Sequence, residues 1–454
     1  MSRASQQFHL AAFITAGPGR PGGWRLPSSE NGWLDISYYE KIARTLEQGR
    51  FDMAFYADIL AVPDRYEGSL DSQLRYGALG SLRLDPLLVL QAMAGATRHL
   101  GLAATRSTSY YQPFEIARSF ATLDHLSGGR AAWNIVTSFQ EAEARNFSRD
   151  EQIPRHKRYD RADEFLEVVT RLWDSWEDEA LVLDRAGPLF ADPAKVHRID
   201  HEGEWFKVRG PLNVPRPPQG HPVLVQAGAS DRGREFAARW ADVIFVSHDS
   251  LDSAKGFYKD MKARVRAAGR DPDSLKILPA VTPVVADTAT LAREKAQVLH
   301  DLVDPRAGLS TLSYHLDVDL GAYDLDASLP DINVPGVQGH YQEVREATDR
   351  DGLTLRDLGK RYGSRYEGGL IGDPVEVADG LEAWFREGAC DGFMVSAPYQ
   401  PGGFEDFVRL VVPELQRRGL FRTEYSGASL RENLGLARPP RHEALSAAER
   451  ALAS

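Results

Sequence analysis

The sequence predicts an α/β protein that folds as a TIM (β/α)8 barrel. Short apolar runs rich in β-branched residues recur eight times along the 454 residues, with room for a helix between them. Most of these runs are continuous and not alternating, as in parallel strands covered on both faces. The segments between them carry apolar residues at i, i+3 and i+4, which is typical of helices with one buried face. A doubly wound parallel sheet is the alternative arrangement of the same units.

The predicted strands are eight largely apolar runs, which are in chain order FHLAAFIT, FDMAFY, LGLAATR, AAWNIV, PVLVQ, DVIFV, ILPAVTPVV and GFMV. The strands are residues 8–15, 51–56, 100–106, 131–136, 222–226, 242–246, 277–285 and 392–395. The predicted helices include residues 38–48, 86–97, 159–173, 234–240, 254–268, 291–302, 375–387 and 404–417. Each helix is amphipathic, so each can cover the barrel with one face.

A barrel of this kind usually takes about 250 residues, so the chain has a surplus. The surplus lies mainly in two insertions after the fourth and seventh strands: residues 175–221 are rich in Pro, Gly and His, and residues 304–373 are rich in Gly and Asp with weak periodicity. Because βα loops build the active-site face of a barrel, we expect these insertions to form walls around the substrate. We predict one domain over residues 1–437 and a C-terminal tail over residues 438–454.

Composition excludes several classes of function. Sixty-five acidic against 54 basic side chains give a net charge of −11, with no Lys/Arg run that could follow a phosphate backbone, so we expect no nucleic-acid or anionic-membrane partner. The single cysteine, Cys390, cannot form an internal disulfide or a cysteine-based metal site, which favours a reducing compartment and hence the cytoplasm. No apolar run approaches the roughly eighteen residues of a membrane span, and the N-terminal run is too short for a signal peptide.

Two motifs suggest functions that their surroundings do not support. Residues 17–22, GPGRPG, match the GxGxxG dinucleotide motif, but Pro21 and the Gly-Gly-Trp that follows predict a loop and not a helix whose amides hold pyrophosphate. His197 and His201 lie four residues apart near several acids, yet the pattern is not helical, so we expect an exposed polar hairpin and no metal site. The GxSxG motif of serine hydrolases is absent from the sequence.

Polar residues at the C-terminal ends of the predicted strands are the candidate site, because these ends converge on the active-site face of a barrel. The second strand runs into Asp58, the third reaches Thr105 and the fourth contains Asn134. The fifth runs into a small-residue turn, QAGASDRG, which places Ser230 and Asp231 at the start of a helix. Each residue alone could be a cap or a turn. Together they predict a phosphorylated cofactor that lies across the barrel mouth, with its phosphate on this turn.

Longer blocks around these residues resemble one known family. ARSFATLDHLSGGRAAWNIVTSFQEAEARNF surrounds the fourth strand, and RYDRADEFLEVVTRLWDSW, QAGASDRGREFAA and GLFRTEYSGASLRENLGL follow it. Over residues 7–437 the chain is similar to the flavin-dependent monooxygenases of the bacterial luciferase-like superfamily. Within that superfamily it resembles the group that contains nitrilotriacetate monooxygenase, pristinamycin synthase and dibenzothiophene-sulfone monooxygenase.

The resemblance implies an enzyme that uses O2 and FMN, the latter reduced to FMNH2 by a separate NAD(P)H-dependent flavin reductase and delivered by diffusion. The positions that match or adjoin the family's flavin contacts are Asp58, Thr105, Asn134, Tyr159, Ala229, Ser230 and Asp231. Thr105 and Asn134 would lie near the central ring and donate hydrogen bonds there, while Tyr159 and the Ser230 turn would hold the phosphate. Where relatives carry a histidine four residues before the tyrosine, this chain has Arg155, which could hold the phosphate bidentately or turn away.

Aromatic and imidazole side chains near the strand ends are expected to form a dry substrate pocket. The candidates are Trp24, Tyr56, Tyr110, Phe139 and His315. His315 lies in the second insertion, and its imidazole could act as an acid, a base or an anchor alongside Thr105 and Asn134. The loop over residues 17–25 departs from the relatives and would line the substrate entrance, so the sequence does not name the substrate.

The resemblance thus predicts a two-component FMNH2-dependent monooxygenase acting on a small organic substrate. An aromatic or sulfur-containing compound is favoured, with cleavage of a C–S or another C–heteroatom bond. A homodimer or homotetramer is expected from the family. Two alternatives stay open: a flavin-retaining oxidoreductase that needs no separate reductase, and a non-catalytic flavin-binding protein.

Overall fold

The computed structural model describes residues 6–17, 19–228, 230–248, 250–332, 334, 338–364 and 370–441. In this part of the chain, eight parallel strands form a closed barrel in which sequential strands are neighbours. The strands are β1 (His9–Ile14), β2 (Met53–Tyr56), β3 (Gly101–Ser107), β4 (Ala131–Val136), β5 (Val223–Gln226), β6 (Val243–Val246), β7 (Lys276–Val281) and β8 (Gly392–Ser396). Because β8 pairs with β1, the sheet has no open edge. The predicted TIM barrel is confirmed.

Helices alternate with the strands and surround them. In chain order they are α1 (Ile36–Gln48), α2 (Asp71–Tyr76), α3 (Pro86–Ala96), α4 (Pro113–Ser127), α5 (Glu141–Asn146), α6 (Arg155–Trp173), α7 (Asp231–Trp240), α8 (Leu251–Ala267), α9 (Ala289–Asp301), α10 (Pro305–Leu316), α11 (Gln338–Asp351), α12 (Leu355–Ser364), α13 (Pro374–Arg386), α14 (Gly402–Asp406), α15 (Val412–Arg417) and α16 (Leu430–Asn433). A π-helical stretch, Phe407–Val411, joins α14 to α15. Pro413 accounts for this wider turn, because it has no N–H to donate and its ring displaces the carbonyl of the preceding turn.

Most predicted boundaries agree closely with the structure. Seven of the eight barrel strands begin and end within two residues of their predicted positions. The exception is the end of the seventh strand: Val284–Val285 leaves the barrel and pairs with Ile371–Gly372 in a separate parallel sheet. Several helices begin up to four residues early because a polar cap, such as Asp35 or Ser250, starts a turn before the first apolar residue.

Alternate side chains of the strands point into the barrel and out toward the helices. Near the C-terminal ends of their strands, the inward ring of Phe55 lies 5.3 Å from that of Phe13 and 4.7 Å from that of Phe245, measured between centroids. The outward ring of Trp133 on β4 lies 5.8 Å from Phe165 on α6. The core therefore has two parts, one inside the barrel and one between the barrel and the helices.

The short helix α16 closes the N-terminal end of the barrel. Its Leu430 and Leu434 belong to the same apolar cluster as Ala11 of the barrel interior. Beside them, Arg431 binds Asp242 in a buried ion pair at 2.7 Å. The opposite, C-terminal end is the one at which a site can open.

The two insertions differ in structure. The first contains two antiparallel hairpins, Leu181–Asp184 with Leu189–Ala191 and His201–Glu202 with Lys207–Val208. The second contains α10, α11 and α12, although its periodicity is weak. Nearly every residue of α10 is buried, so no polar face marks it as a helix in the sequence. No helix in the described ranges is long and apolar enough to cross a membrane.

Candidate active site

Thr105 and Asn134 stand side by side at the C-terminal mouth of the barrel. The register of β3 and β4 pairs them directly, and both lie two residues beyond the interior side chains of Ala103 and Ala132. Since side chains alternate along a strand, both point into the barrel. Asn134 Nδ2 donates to Thr105 Oγ1 at 2.9 Å, and Thr105 Oγ1 donates to the carbonyl oxygen of Tyr56 at 2.8 Å.

These two bonds fix the orientation of the Asn134 amide. The Tyr56 carbonyl can only accept, so the single hydroxyl proton of Thr105 is committed to it, and Thr105 must accept from the NH2 group of Asn134. The free end of the amide is therefore Oδ1. This oxygen is buried and has no hydrogen-bond partner among the described residues, in a side chain only 3% exposed. The sequence suggested that the pair donates hydrogen bonds, whereas the structure gives Thr105 no free donor and leaves Asn134 with an unpaired acceptor.

Asp58 adds a buried carboxyl group just after β2. Its side chain is 9% exposed, and its Oδ1 accepts the N–H of Ile59 at 2.9 Å. Burial raises the pKa of Asp58 to about 6, although Arg106, with Nη1 3.7 Å from Oδ2, and Arg83 both act to lower it. Arg106 is itself held by Asp85 at 2.5 Å. Asp58 therefore changes charge slightly below neutral pH.

Arg83 and Tyr314 lie near Asp58, and together with Asp58 and Arg106 they form what we call the charged group. Neither Arg83 nor Tyr314 was predicted from the sequence. Arg83 Nη1 donates to the carbonyl oxygens of Ala16 and Leu82 at 2.9 and 3.0 Å. Burial lowers the pKa of Arg83, against the attraction of Asp58, and burial raises the pKa of Tyr314 well above its ordinary value. No motif marks either residue, because Arg83 follows a turn and Tyr314 comes from the second insertion. Only folding brings them near Asp58.

Tyr159, Ser230 and Gly233 form a second group at the N-terminus of α7. Ser230 caps the helix by accepting the N–H of Gly233 at 3.2 Å, and the Tyr159 side chain hydrogen-bonds to Ser230. A Cβ on Gly233 would lie 2.8 Å from Tyr159 Oη, so a glycine is needed here for the tyrosine to reach the cap. Helix N-terminal amides next to two hydroxyl groups form an arrangement that suits a phosphate.

Arg158 is the enclosed cation near this turn, and Arg155 is not. Arg155 is exposed and forms no hydrogen bond or ion pair with the described part of the chain. Arg158 donates to the carbonyl oxygen of Ser138, and its Nε is buried without a partner among the described residues. Burial lowers the pKa of Arg158, while the nearby Tyr159 acts to raise it. Arg158 was not predicted from the sequence, because arginines at the start of an amphipathic helix are ordinarily solvated.

Two further residues were predicted for the phosphate turn. The Asp231 side chain is 77% exposed and binds Arg264 of α8 at 2.7 Å, so its carboxylate points outward and only its backbone is available at the helix start. Ala229 lies outside the described residues.

Three of the predicted pocket residues lie in loops that follow strands: Trp24 after β1, Tyr110 after β3 and Phe139 after β4. Phe139 packs against Tyr314, with ring centroids 5.2 Å apart. Tyr110 stacks on Phe147 at 4.7 Å, and burial raises the pKa of Tyr110 to about 12. Trp24 donates its indole N–H to a carbonyl oxygen of α2 at 3.4 Å. The rings of Tyr110, Phe139 and Tyr314 give this side of the mouth an aromatic wall.

The side chains of Tyr56 and His315, which the sequence placed in the substrate pocket, point in other directions. Tyr56 is fully buried, with its ring 6.2 Å from Tyr39 of α1, because it is an outward-facing residue of β2. His315 Nδ1 lies 2.6 Å from Oη of Tyr362 on α12. Successive residues on a helix are about 100° apart, so α10 directs Tyr314 to the charged group and His315 toward α12.

In the glycine-rich loop, the described residues 19–25 pack against the rest of the chain, and Pro18 lies outside the described residues. A Cβ on Gly22 would lie 2.7 Å from the carbonyl oxygen of Leu299, so this close approach needs a glycine. Gly23–Arg25 forms a single 3-10 turn and no long helix follows. The structure therefore agrees with a loop and not with a dinucleotide-binding turn.

The two histidines of the first insertion bind different carboxylates. His197 Nε2 lies 2.8 Å from Glu177, and His201 Nε2 lies 3.0 Å from Glu164. The predicted polar hairpin is present at His201–Glu202. Over the ranges that the structure covers, no group of three side chains is arranged to hold a metal ion.

Comparison with known proteins places this barrel in a family. A family model described as luciferase-like monooxygenase matches residues 11–391. A dibenzothiophene-sulfone monooxygenase of Rhodococcus erythropolis (strain XP) is 49% identical over 447 residues, which cover 96% of this chain and 98% of the relative. Nitrilotriacetate monooxygenase component A of Aminobacter aminovorans is 45% identical over 447 residues, with the same coverage of 96% and 98%.

Among solved structures, a riboflavin lyase with modified FMN and its substrate riboflavin superposes with a TM-score of 0.87 at 34% identity, covering 96% of this chain and 97% of that one. The chain belongs to the luciferase-like monooxygenase family, and it is accordingly a monooxygenase. The resemblance seen in the sequence blocks is confirmed.

Proposed function

We propose that this protein is a two-component monooxygenase that binds FMNH2 at the barrel mouth and uses O2 to oxygenate a small organic substrate. The observation that carries the cofactor is the buried, unpartnered Oδ1 of Asn134. An unpaired buried acceptor costs about 1–3 kcal/mol, and a ring N–H of a flavin would satisfy it. Family membership supports the reaction class, and a related riboflavin lyase has been solved with modified FMN.

The two groups of the site suit the two ends of FMN. At one end, Tyr159, Ser230 and the first amides of α7 would hold the phosphate, with Arg158 as the neighbouring cation. At the other end, Asp58 and Asn134 present acceptors for ring N–H groups. When bound, the reduced flavin supplies the electrons with which O2 is activated for transfer of one oxygen atom.

The chain's own residues contribute exclusion of water and control of charge. Phe139 and Tyr314 cover one side of the mouth with apolar rings. Burial raises the pKa of Tyr314 further above neutral, so its hydroxyl stays uncharged there and can donate a hydrogen bond. Arg83 places a fixed positive charge beside it, where it can stabilise negative charge that develops on oxygen.

The favoured substrate is aromatic or sulfur-containing, and its oxygenation leads to cleavage of a C–S or another C–heteroatom bond. The name of the dibenzothiophene-sulfone monooxygenase relative supports this class. The aromatic wall of Tyr110, Phe139 and Tyr314 offers flat surfaces against which an aromatic compound can stack. The loop over residues 17–25 follows β1, so it would line the substrate entrance and contribute to selectivity.

The proposal extends to partner and setting. An NAD(P)H:flavin reductase delivers FMNH2 by diffusion to a homo-oligomer in the cytoplasm. The chain acts as one domain over residues 1–437, with a tail that begins at residue 438.

A reconstituted assay tests the proposal. The purified protein is combined with a flavin reductase, NADH and FMN, and sulfones, thioethers, aminopolycarboxylates and halogenated aromatics are screened for O2 uptake with product formation. We expect a colourless protein whose product formation requires the reductase. A different outcome would identify a flavin-retaining oxidoreductase: the protein keeps stoichiometric oxidised flavin through gel filtration and turns over without added reductase. Flavin binding without coupled O2 uptake on any substrate class would identify a non-catalytic flavin-binding protein.

A further inference from the structure

The hairpin over residues 181–191 forms an apolar arm. Its strands, Leu181–Asp184 and Leu189–Ala191, pair antiparallel with one register shift. Five of its large apolar side chains are between 39% and 69% exposed, and they are Leu181, Val182, Leu183, Leu189 and Phe190. Such a concentration of exposed apolar groups on one small element marks an interaction surface.

Both faces of the arm are apolar. Leu181 and Val182 are neighbours on one strand, and Leu189 and Phe190 are neighbours on the other, so each strand places apolar side chains on both sides. Within the described chain, no hydrogen bond or ion pair joins the arm to another element, and none of its side chains belongs to a buried apolar cluster. The arm therefore lacks a covering surface in a single copy. This matters because a lone two-stranded hairpin is only marginally stable in water.

The base of the arm is fixed to the barrel. The N–H of Asp192 donates to the carbonyl oxygen of Ala180 at 2.8 Å, and Ala180 is fully buried. Below it, Trp176 forms a bridge with Val196 and donates its indole N–H to the carbonyl oxygen of Leu212 at 2.7 Å. The arm therefore leaves the body of the protein in a defined direction.

We propose that the arm is an interface between two copies of this chain, exchanged about a two-fold axis so that each arm is covered by the other copy. If each of the five side chains exposes about half of roughly 150 Å², one arm presents about 400 Å². A single arm on an unlike partner would bury about 800 Å² over both surfaces, which is below the roughly 1,000 Å² of a specific interface. Reciprocal exchange doubles the area to about 1,600 Å², the standard size for stable association.

Charge is compatible with a pair of identical arms. Each chain has a net charge of −11, which opposes association of two copies at long range. The arm itself carries one acid, Asp184, and one base, Arg185, so it has no net charge. Two arms can therefore meet without placing like charges opposite each other. Their contact does not add to the long-range repulsion between the two negatively charged chains.

The test compares the wild type with the double variant Val182→Glu/Phe190→Glu by sedimentation equilibrium at micromolar concentration. We expect a wild-type dimer or tetramer, and a variant whose mass falls to half or less. The variant's affinity for oxidised FMN should stay within about twofold of wild type, because these side chains belong to no buried apolar cluster and lie outside the site at the barrel mouth. Leu88→Glu is the matched control, since Leu88 on α3 is 74% exposed and lies outside the arm.

Three outcomes would overturn the proposal. These are a monomeric wild type, an arm variant that keeps the wild-type mass, and a loss of mass of equal size in the Leu88→Glu control. A chain that is monomeric alone and gains mass only with the flavin reductase would assign the arm to that partner instead. A monomeric wild type would also contradict the proposed homo-oligomeric state. None of these outcomes depends on the oxygenation reaction, so the proposed monooxygenase activity is tested separately.

Discussion

Replacement of Asn134 by leucine tests the hydrogen-bond direction at the barrel mouth. Leucine has a similar volume and no acceptor, so the change removes Oδ1 without opening a large cavity. We expect Oδ1 to accept from the ring N–H that a flavin gains on reduction, because Thr105 holds the other end of the amide. Oxidised flavin has an acceptor at that ring position and gains nothing from Oδ1. The variant should therefore lose affinity mainly for the reduced form.

The magnitude follows from the buried hydrogen bond. A neutral bond contributes about 1 kcal/mol net and leaving a buried partner unpaired adds about 1 kcal/mol or more, so Asn134→Leu should weaken reduced FMN by roughly tenfold to thirtyfold. Oxidised FMN should change by less than about threefold. The Kd of each form is measured by titration, anaerobically for reduced FMN. Each tenfold change in their ratio corresponds to about 30 mV in the midpoint potential of the bound flavin.

A matched control lies at the other end of the barrel. Asn433 is also 3% exposed, and its Oδ1 accepts the N–H of Gly427 at 3.0 Å. Asn433→Leu should lower stability and leave the ratio of the two Kd values unchanged. Thr105→Val should weaken the preference for reduced over oxidised FMN although Asn134 is still present, because the Asn134 amide can then turn. Equal losses for both flavin forms in Asn134→Leu, or an unchanged ratio in Thr105→Val, would refute the reasoning.

Three further predictions concern single positions. Burial raises the pKa of Asp58 from 3.8 to about 6, so the stability that its protonation contributes is present at low pH and is lost as pH rises through 6. The advantage of Asp58→Asn in unfolding free energy should therefore grow by roughly 2.5 kcal/mol from about pH 4 to about pH 8 in denaturant titrations, and a constant difference would contradict this. Gly233→Ala places a Cβ 2.8 Å from the hydroxyl of Tyr159, so it should weaken the binding of FMN about tenfold and that of riboflavin hardly at all. Gly256→Ala, with open space at its Cβ, is the control and should change neither affinity. Equal loss of affinity for both ligands in Gly233→Ala would speak against a phosphate role. Arg158→Gln should reduce the preference for FMN over riboflavin about tenfold and Arg155→Gln less than about threefold, measured by the same titrations, and the reverse order would show that Arg155 holds the phosphate.

Much of the fold was predictable because its signals are local. Each of the strands β1 to β8 is a short apolar run, and parallel strands all end at the same side of a barrel, so Asp58, Thr105 and Asn134 could be selected from their positions alone. Helix starts were less accurate, since caps such as Ser250 carry no apolar periodicity. Tyr159 was found only through the resemblance, because by itself it looks like a first-turn residue of an amphipathic helix.

The remaining differences concern residues whose surroundings depend on distant partners. The sequence suggested Arg155 and His315, whereas the structure encloses Arg158 and brings Tyr314 to the charged group. Each difference is a shift of one to three residues along a helix. Since a helix turns by about 100° per residue, such a shift changes the direction of a side chain completely, and the local pattern does not record how the helix is rotated against its neighbours.

Periodicity, strand ends and long motif blocks are properties of neighbouring residues, so they predicted the barrel, the end at which its site lies and the family. The groups that meet at the mouth, and the directions in which they face, depend on how distant strands and helices pack. The amide of Asn134 presents its oxygen because a chain of two hydrogen bonds ends on the Tyr56 carbonyl of another strand. Such a direction is set by donors and acceptors far apart in the chain, and it exists only once the strands are paired.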